Sequence, residues 1–237
     1  VSPDVVLHNT TRWGRTHQDY LLTSFRGDTA NLLTPDAADP STWTIARSLP
    51  TYKNQTNRIV TNQTNLTASF DTGSVTHNLS AGIELTREKA DTIGMATLAG
   101  SAWPAANLYH PEADVSGLLY GSNGADTHGQ TDTEAAYLFD TLKFNEQWQV
   151  NAGVRLDHYT TDFSSLVVCG ARNGPACGAL PAGSVLPGVN TSKSGNLPNY
   201  KLGVLYKPAA NGSIYANFAV SQEPPGGNTL TFSASAN

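Results

Sequence analysis

The chain has 237 residues, with charged residues at 14%, hydrophobic residues at 39%, 21 glycines and a formal net charge of −5. That balance excludes a phosphate-backbone binder, which needs clustered Lys and Arg. The absence of any run of about 18 apolar residues excludes a membrane-spanning helix, though not a spanning β-barrel, whose strands alternate. The start, Val1-Ser2-Pro3-Asp4, carries neither an initiator Met nor the charged and apolar regions of a signal peptide, as expected for a mature or truncated chain.

Alternation of apolar and polar residues with period two recurs about seven times. A first copy runs from Val5 to about Tyr20. Asn65–Phe70 places Leu66, Ala68 and Phe70 on one face and Asn65, Thr67 and Ser69 on the other. His77–Leu85 sets Leu79, Ala81, Ile83 and Leu85 against Asn78, Ser80, Gly82 and Glu84. Thr133–Phe144 leaves its phase open, because Tyr137 and Phe139 compete with Leu138 and Leu142 for the apolar side. Trp148–Leu156, Asn199–Lys207 and Ser213–Ser221 complete the set.

Connections between these copies alternate strictly between short and long. Asp71–Ser74, Asn145–Gln147 and Pro208–Gly212 have tight-turn chemistry, whereas Phe25–Asn54, Ala90–Asp132 and Ser164–Leu197 are long. Loops of that length argue against a compact soluble domain, but outer-membrane barrels carry long extracellular loops and short periplasmic turns. A soluble sandwich would turn every 8–12 residues or so, mostly tightly. The fold class expected is therefore all-β: an antiparallel up-and-down transmembrane β-barrel, here an incomplete segment of about seven strands forming one unit over residues 1–237. Seven strands are too few and of the wrong parity to close a bacterial barrel, so further strands are expected elsewhere.

Cys169 and Cys177, with seven residues between them in a Gly/Pro-rich stretch, read as a disulfide closing one loop in an oxidising compartment; two unpaired loop thiols are the alternative. Trp148, Phe70 and Tyr206 flank short turns on the apolar phase, as an interfacial aromatic girdle would. No nucleophile elbow, His-Glu-x-x-His or phosphate loop is present, so no catalytic residues are expected. His110, Glu112 and Asp114 match no closed metal site and read as a solvated loop, so no metal ligands are assigned.

Thr133–Phe144 followed by Trp148–Asp157, and Tyr200–Pro208 followed by Asn211–Ser221, resemble hairpins of TonB-dependent siderophore receptors. Asn9–Leu22 resembles their catecholate-receptor branch. The resemblance implies a 22-stranded outer-membrane barrel around a plug domain, importing ferric siderophores with energy relayed by TonB. The plug, its TonB-binding segment and the remaining strands are not in this sequence. Iron would arrive chelated, so no cofactor is expected. The expected partners are a ferric siderophore, the TonB complex acting through the plug, and outer-membrane lipid, with no nucleic acid. A passive porin-like channel and a soluble β-rich binding module are the alternatives. A ferric catecholate is anionic and aromatic, so the candidate ligand residues are Arg47, Tyr52, Trp103, Tyr109, Tyr120 and Arg172 in the long loops. Arg155, on the polar phase beside Asp157, is the candidate on the lumen wall. Its plainer role, which is preferred, is a supporting pair with Asp157.

Overall fold

A computed structural model describes residues 4–25, 32–171 and 174–224. Seven long strands form one sheet: β1 (Val5–Phe25), β4 (Arg47–Thr72), β5 (Val75–Thr97), β7 (Tyr120–Lys143), β8 (Trp148–Val168), β9 (Val185–Ala209) and β10 (Gly212–Val220). Their spatial order is their chain order, and every pairing is antiparallel. The three remaining strands, β2 (Leu32–Leu33), β3 (Thr44–Ile45) and β6 (Ala106–Asn107), make a small separate sheet that ties two loops together. The helical content among the described residues is one short 3-10 turn, Pro40–Thr42. The wall of the barrel is open in this chain.

Local chemistry explains the short turns. Gly73 takes φ +65°, which suits the two-residue hairpin between β4 and β5, and the Asp71 carboxylate accepts from the Thr76 hydroxyl at 2.7 Å. Between β7 and β8 the Asn145 side-chain oxygen accepts from the backbone N–H of Gln147 and of Trp148, an Asx turn.

The register settles the faces. Leu66, Ala81, Leu138, Val154 and Tyr200 fall in one row across five strands, while Asn65, Gly82, Tyr137, Arg155 and Asn199 fall in the next row on the opposite face. The open phase of β7 is thereby decided: Leu138 and Leu142 join the apolar face, and Tyr137 and Phe139 point to the polar one. Val154 and Leu156 are 52% and 61% exposed, whereas Asp157 and Thr161 on the polar face are 8% and 0% exposed. Oil on the exposed face and polar groups on the covered one invert a soluble domain, as a membrane barrel requires.

The strands are longer than the alternation in the sequence suggested. Alternation marked only the membrane half of each, and the expected long loops donate residues to strand extensions, leaving among the described residues 32–46, 98–119, 169–171 and 174–184 as connections. On the outward face of β5 the apolar stretch runs from Val75 to Leu85, and above it come Arg87, Lys89 and Asp91. Those ten steps span about 33 Å along a strand, or about 25 Å of height at the usual barrel tilt, the thickness of an outer-membrane apolar band. The upper halves of the strands carry polar residues on both faces, with only scattered outward apolar ones such as Ile93 and Leu166, and so escape an alternation search.

Candidate functional site: the lumen wall and the rim

The inner face of β5, β7, β8 and β9 carries a continuous polar network. Arg155 Nη2 donates to Glu84 Oε1 at 2.9 Å and to Asp157 Oδ1 at 2.8 Å, and its Nε donates to both Asp157 oxygens at 2.9 and 3.1 Å. Asn199 Nδ2 donates to Asp157 Oδ2 at 2.9 Å, and Gln63 Nε2 donates to the Tyr137 hydroxyl at 3.0 Å. The guanidinium carbon of Arg155 lies 6.0 Å from the centre of the Tyr137 ring, and the Lys201 ammonium 4.8 Å from that of Phe139. One cation answers two carboxylates through its Nε and Nη2, and with Asn199 and Tyr137 this ties together four strands. Arg155 is thus paired with Asp157, as its spacing suggested, and with Glu84.

Aromatic rings on this face lie over glycines of the neighbouring strand. A Cβ on Gly153 would fall 1.8 Å from Phe139 Cδ1, and one on Gly195 would fall 3.0 Å from the Tyr159 hydroxyl oxygen. The signal for these pairs, a glycine at the polar phase of one strand, is present in the sequence. The partner across the sheet is visible only once the register is known.

On the opposite, outer face, toward the short turns, Trp148 and Tyr206 stack at 4.4 Å between centroids. Phe70 stacks on His77 at 4.8 Å, so all three expected girdle residues stand by short turns. His77 Nδ1 lies 2.6 Å from Asp140 Oδ2, a hydrogen-bonded polar contact within the apolar band that alternation did not foretell.

The rim differs from the loop picture drawn from the sequence. Arg47, Tyr52 and Tyr120 were expected in loops, yet Arg47 opens β4, Tyr52 lies within it and Tyr120 opens β7. Tyr52 and Tyr120 stack at 5.7 Å, and the Tyr52 hydroxyl bonds that of Thr97. By phase they share the outward face with Val60, not the lumen face. Arg47 Nη2 donates to the Glu112 carbonyl at 2.7 Å, pinning the 98–119 loop to the head of β4. Tyr109 packs on Trp43 at 6.4 Å, and Trp43, which the sequence reading passed over, holds Asp36 O through its indole N–H at 2.8 Å. Trp103 is half-buried in the same loop, and Arg172 lies outside the described residues. The structure thus brings Tyr52 to Tyr120 and Arg47 to the loop of Tyr109. Arg155 stands lower, about 40 Å down the wall from Tyr52 at the usual rise per residue.

Cys169 and Cys177 are bonded, with Cα atoms 5.0 Å apart, at the head of the β8–β9 loop. Among the described residues no group of three His, Cys, Asp or Glu side chains could hold a metal ion.

The family model for the TonB-dependent receptor-like β-barrel matches residues 4–237. The chain belongs to that family. It is therefore a stretch of outer-membrane barrel wall, and its relatives are transport receptors, not enzymes. It is 43% identical over 99% of its length to the catecholate siderophore receptor Fiu of Escherichia coli, covering 31% of that protein. It is 32% identical over 72% of its length to the probable TonB-dependent receptor BfrD of Bordetella pertussis, covering 23% of it. The crystal structure of the ferric-catecholate import receptor Fiu from Escherichia coli K12 in its closed form superposes with a TM-score of 0.84, covering 98% of this chain and 32% of that one at 42% identity. The chain spans about a third of the length of these Fiu relatives.

Proposed function

We propose that this chain is part of the wall of an outer-membrane receptor that imports ferric catecholate siderophores with energy from TonB. The observation that carries the reading is the match along nearly the whole wall, turns and rim included, to receptors named for catecholate siderophores. The architecture agrees with it. An oily exterior of membrane height backs a polar inner face, and the upper wall carries the Tyr52–Tyr120 stack, with Arg47 opening β4. In this reading Arg47, Trp103, Tyr109 and Arg172 belong to the capture surface, and Arg155 holds the wall that lines the passage. The iron stays inside its chelator, so the wall needs no metal ligands of its own. TonB acts through a plug encoded elsewhere in the protein.

The test is iron uptake by the full-length receptor in a siderophore-receptor-deficient bacterium. Ferric catecholate should support growth in a TonB-dependent manner, and ferric hydroxamate should not. Uptake that persists without TonB would identify a passive channel instead.

A further inference from the structure

We propose that the outer surface of β1, β4 and β5 holds the phosphate of an outer-leaflet lipid against Arg15, Arg58 and Lys89. The register pairs Arg15 with Arg58 and Arg58 with Lys89, so three cations sit in one row on three adjacent strands. Neighbouring strands are about 5 Å apart, and like charges placed directly opposite each other repel. The protein does little to offset this. Asp91 is shared between Arg58 at 2.6 Å and His128 at 2.8 Å, and Asp132 is taken by Arg87 at 2.5 Å. Among the described residues no carboxylate lies within ion-pair distance of Arg15 or Lys89.

Height and direction identify the missing anion. The row immediately below on the same face holds Trp13, Val60 and the Asp132-paired Arg87. Trp13 and Val60 are 67% and 44% exposed and are the uppermost apolar residues on that face below the cations of β1 and β4, and the apolar stretch of β5 ends one row lower at Leu85. An exposed Trp at the edge of an apolar band marks the headgroup level. One pleat above it is where lipid phosphates lie, and guanidinium forks and an ammonium suit phosphate oxygens. The corresponding inner-face row, Gly14, Ile59 and Glu88, carries a carboxylate and no cation, so the row is not an outer view of a lumen site. The proposal rests on the barrel and its faces alone and does not depend on the identity of the imported ligand.

The experiment places the full-length receptor in nanodiscs of phosphatidylcholine with or without diphosphorylated lipid A and counts retained lipid by native mass spectrometry. Lipid A should bind, and Arg15→Gln and Lys89→Gln should each weaken it about fivefold, the worth of one cation near an anionic surface. Lys143→Gln, by a short turn on the inner face, should not change it. Wild-type binding should also fall in high salt, a readout that needs no variant. Unchanged retention in the double variant, or in high salt, would overturn the proposal. So would displacement of lipid A by inorganic phosphate at equal concentration, which would make this a site for free anions.

Discussion

Tyr137 lies across Gly82, its register partner on β5, so closely that a Cβ on Gly82 would sit 2.6 Å from the Tyr137 hydroxyl oxygen and 2.4 Å from the Thr64 carbonyl oxygen. The ring can swing away, but the carbonyl belongs to the ladder of β4 and cannot. Gly82→Ala should therefore destabilise the barrel by about 1–3 kcal/mol, the usual cost of overpacking. At Gly153 the three atoms nearest an added Cβ all belong to the Phe139 ring, so Gly153→Ala should cost less, because a side chain can turn. Heat-modifiable gel mobility of the full-length receptor ranks the two, and equal midpoints would contradict the assignment of backbone and ring.

The faces predict opposite fates for two neighbouring positions on β8. Val154 is outward at mid-band, where an arginine costs about 2–4 kcal/mol, and Asn151 is inward, where a charge stays hydrated. Val154→Arg should lower outer-membrane yield while Asn151→Arg assembles normally. The reverse result would turn the wall inside out.

Removing Arg155 strands two carboxylates, of which Asp157 is the more deeply covered. Arg155→Met should cost about 1–3 kcal/mol, the range for charged hydrogen bonds left unmade. Asp157→Asn in the same chain should recover part of the loss, because one uncompensated charge disappears. Denaturant midpoints of wild type, both single variants and the pair measure the coupling.

Above the membrane band, His128 has its pKa raised, first by its hydrogen bond to Asp91 and further by the charges of Asp126 and Asp91. Burial pushes Asp91 up, but bonds from His128 and Arg58 outweigh that and hold its carboxyl below the ordinary value. A raised histidine pKa stabilises the fold fully below the ordinary value near 6.5 and loses that contribution as pH rises through the folded value. The imidazole is more than half exposed, so the effect on melting is small and screened by salt. A histidine-labelled NMR titration should place His128 above its ordinary value, and Asp91→Asn should bring it down.

Replacing Cys169 and Cys177 by serine frees a short loop. The closure is worth about 2–3 kcal/mol of local order by chain entropy. The expected outcome is faster proteolysis between the two positions with an unchanged barrel midpoint, since neither cysteine lies within a wall strand.

What the sequence disclosed tracks which solvent each residue faces. Leu79, Ala81, Ile83 and Leu85 alternate with polar neighbours because lipid and water lie on opposite sides of β5, and that contrast gave strand, face and membrane together. Above Leu85 the outer surface turns polar, so the same strand continued unseen to Thr97, and Tyr52 and Tyr120 were misplaced into loops. The phase of Tyr137 was undecidable within β7 because aromatic and aliphatic residues are equally apolar by composition. Only pairing with Gly82 and Arg155 assigns it inward. Arg155 and Asp157 were readable as a pair from their spacing, whereas Glu84, 71 positions away, enters through the register alone.

The extension of the strands beyond the apolar band also sets the electrostatic climate at the mouth. On β5 the stretch from Leu85 to Thr97 lifts the rim about 30 Å above the oil at the usual rise and tilt. Physiological salt damps a surface potential over about 8 Å, so several decay lengths separate the rim from the negatively charged leaflet. An anion arriving at the mouth is therefore not repelled by the membrane it is about to cross.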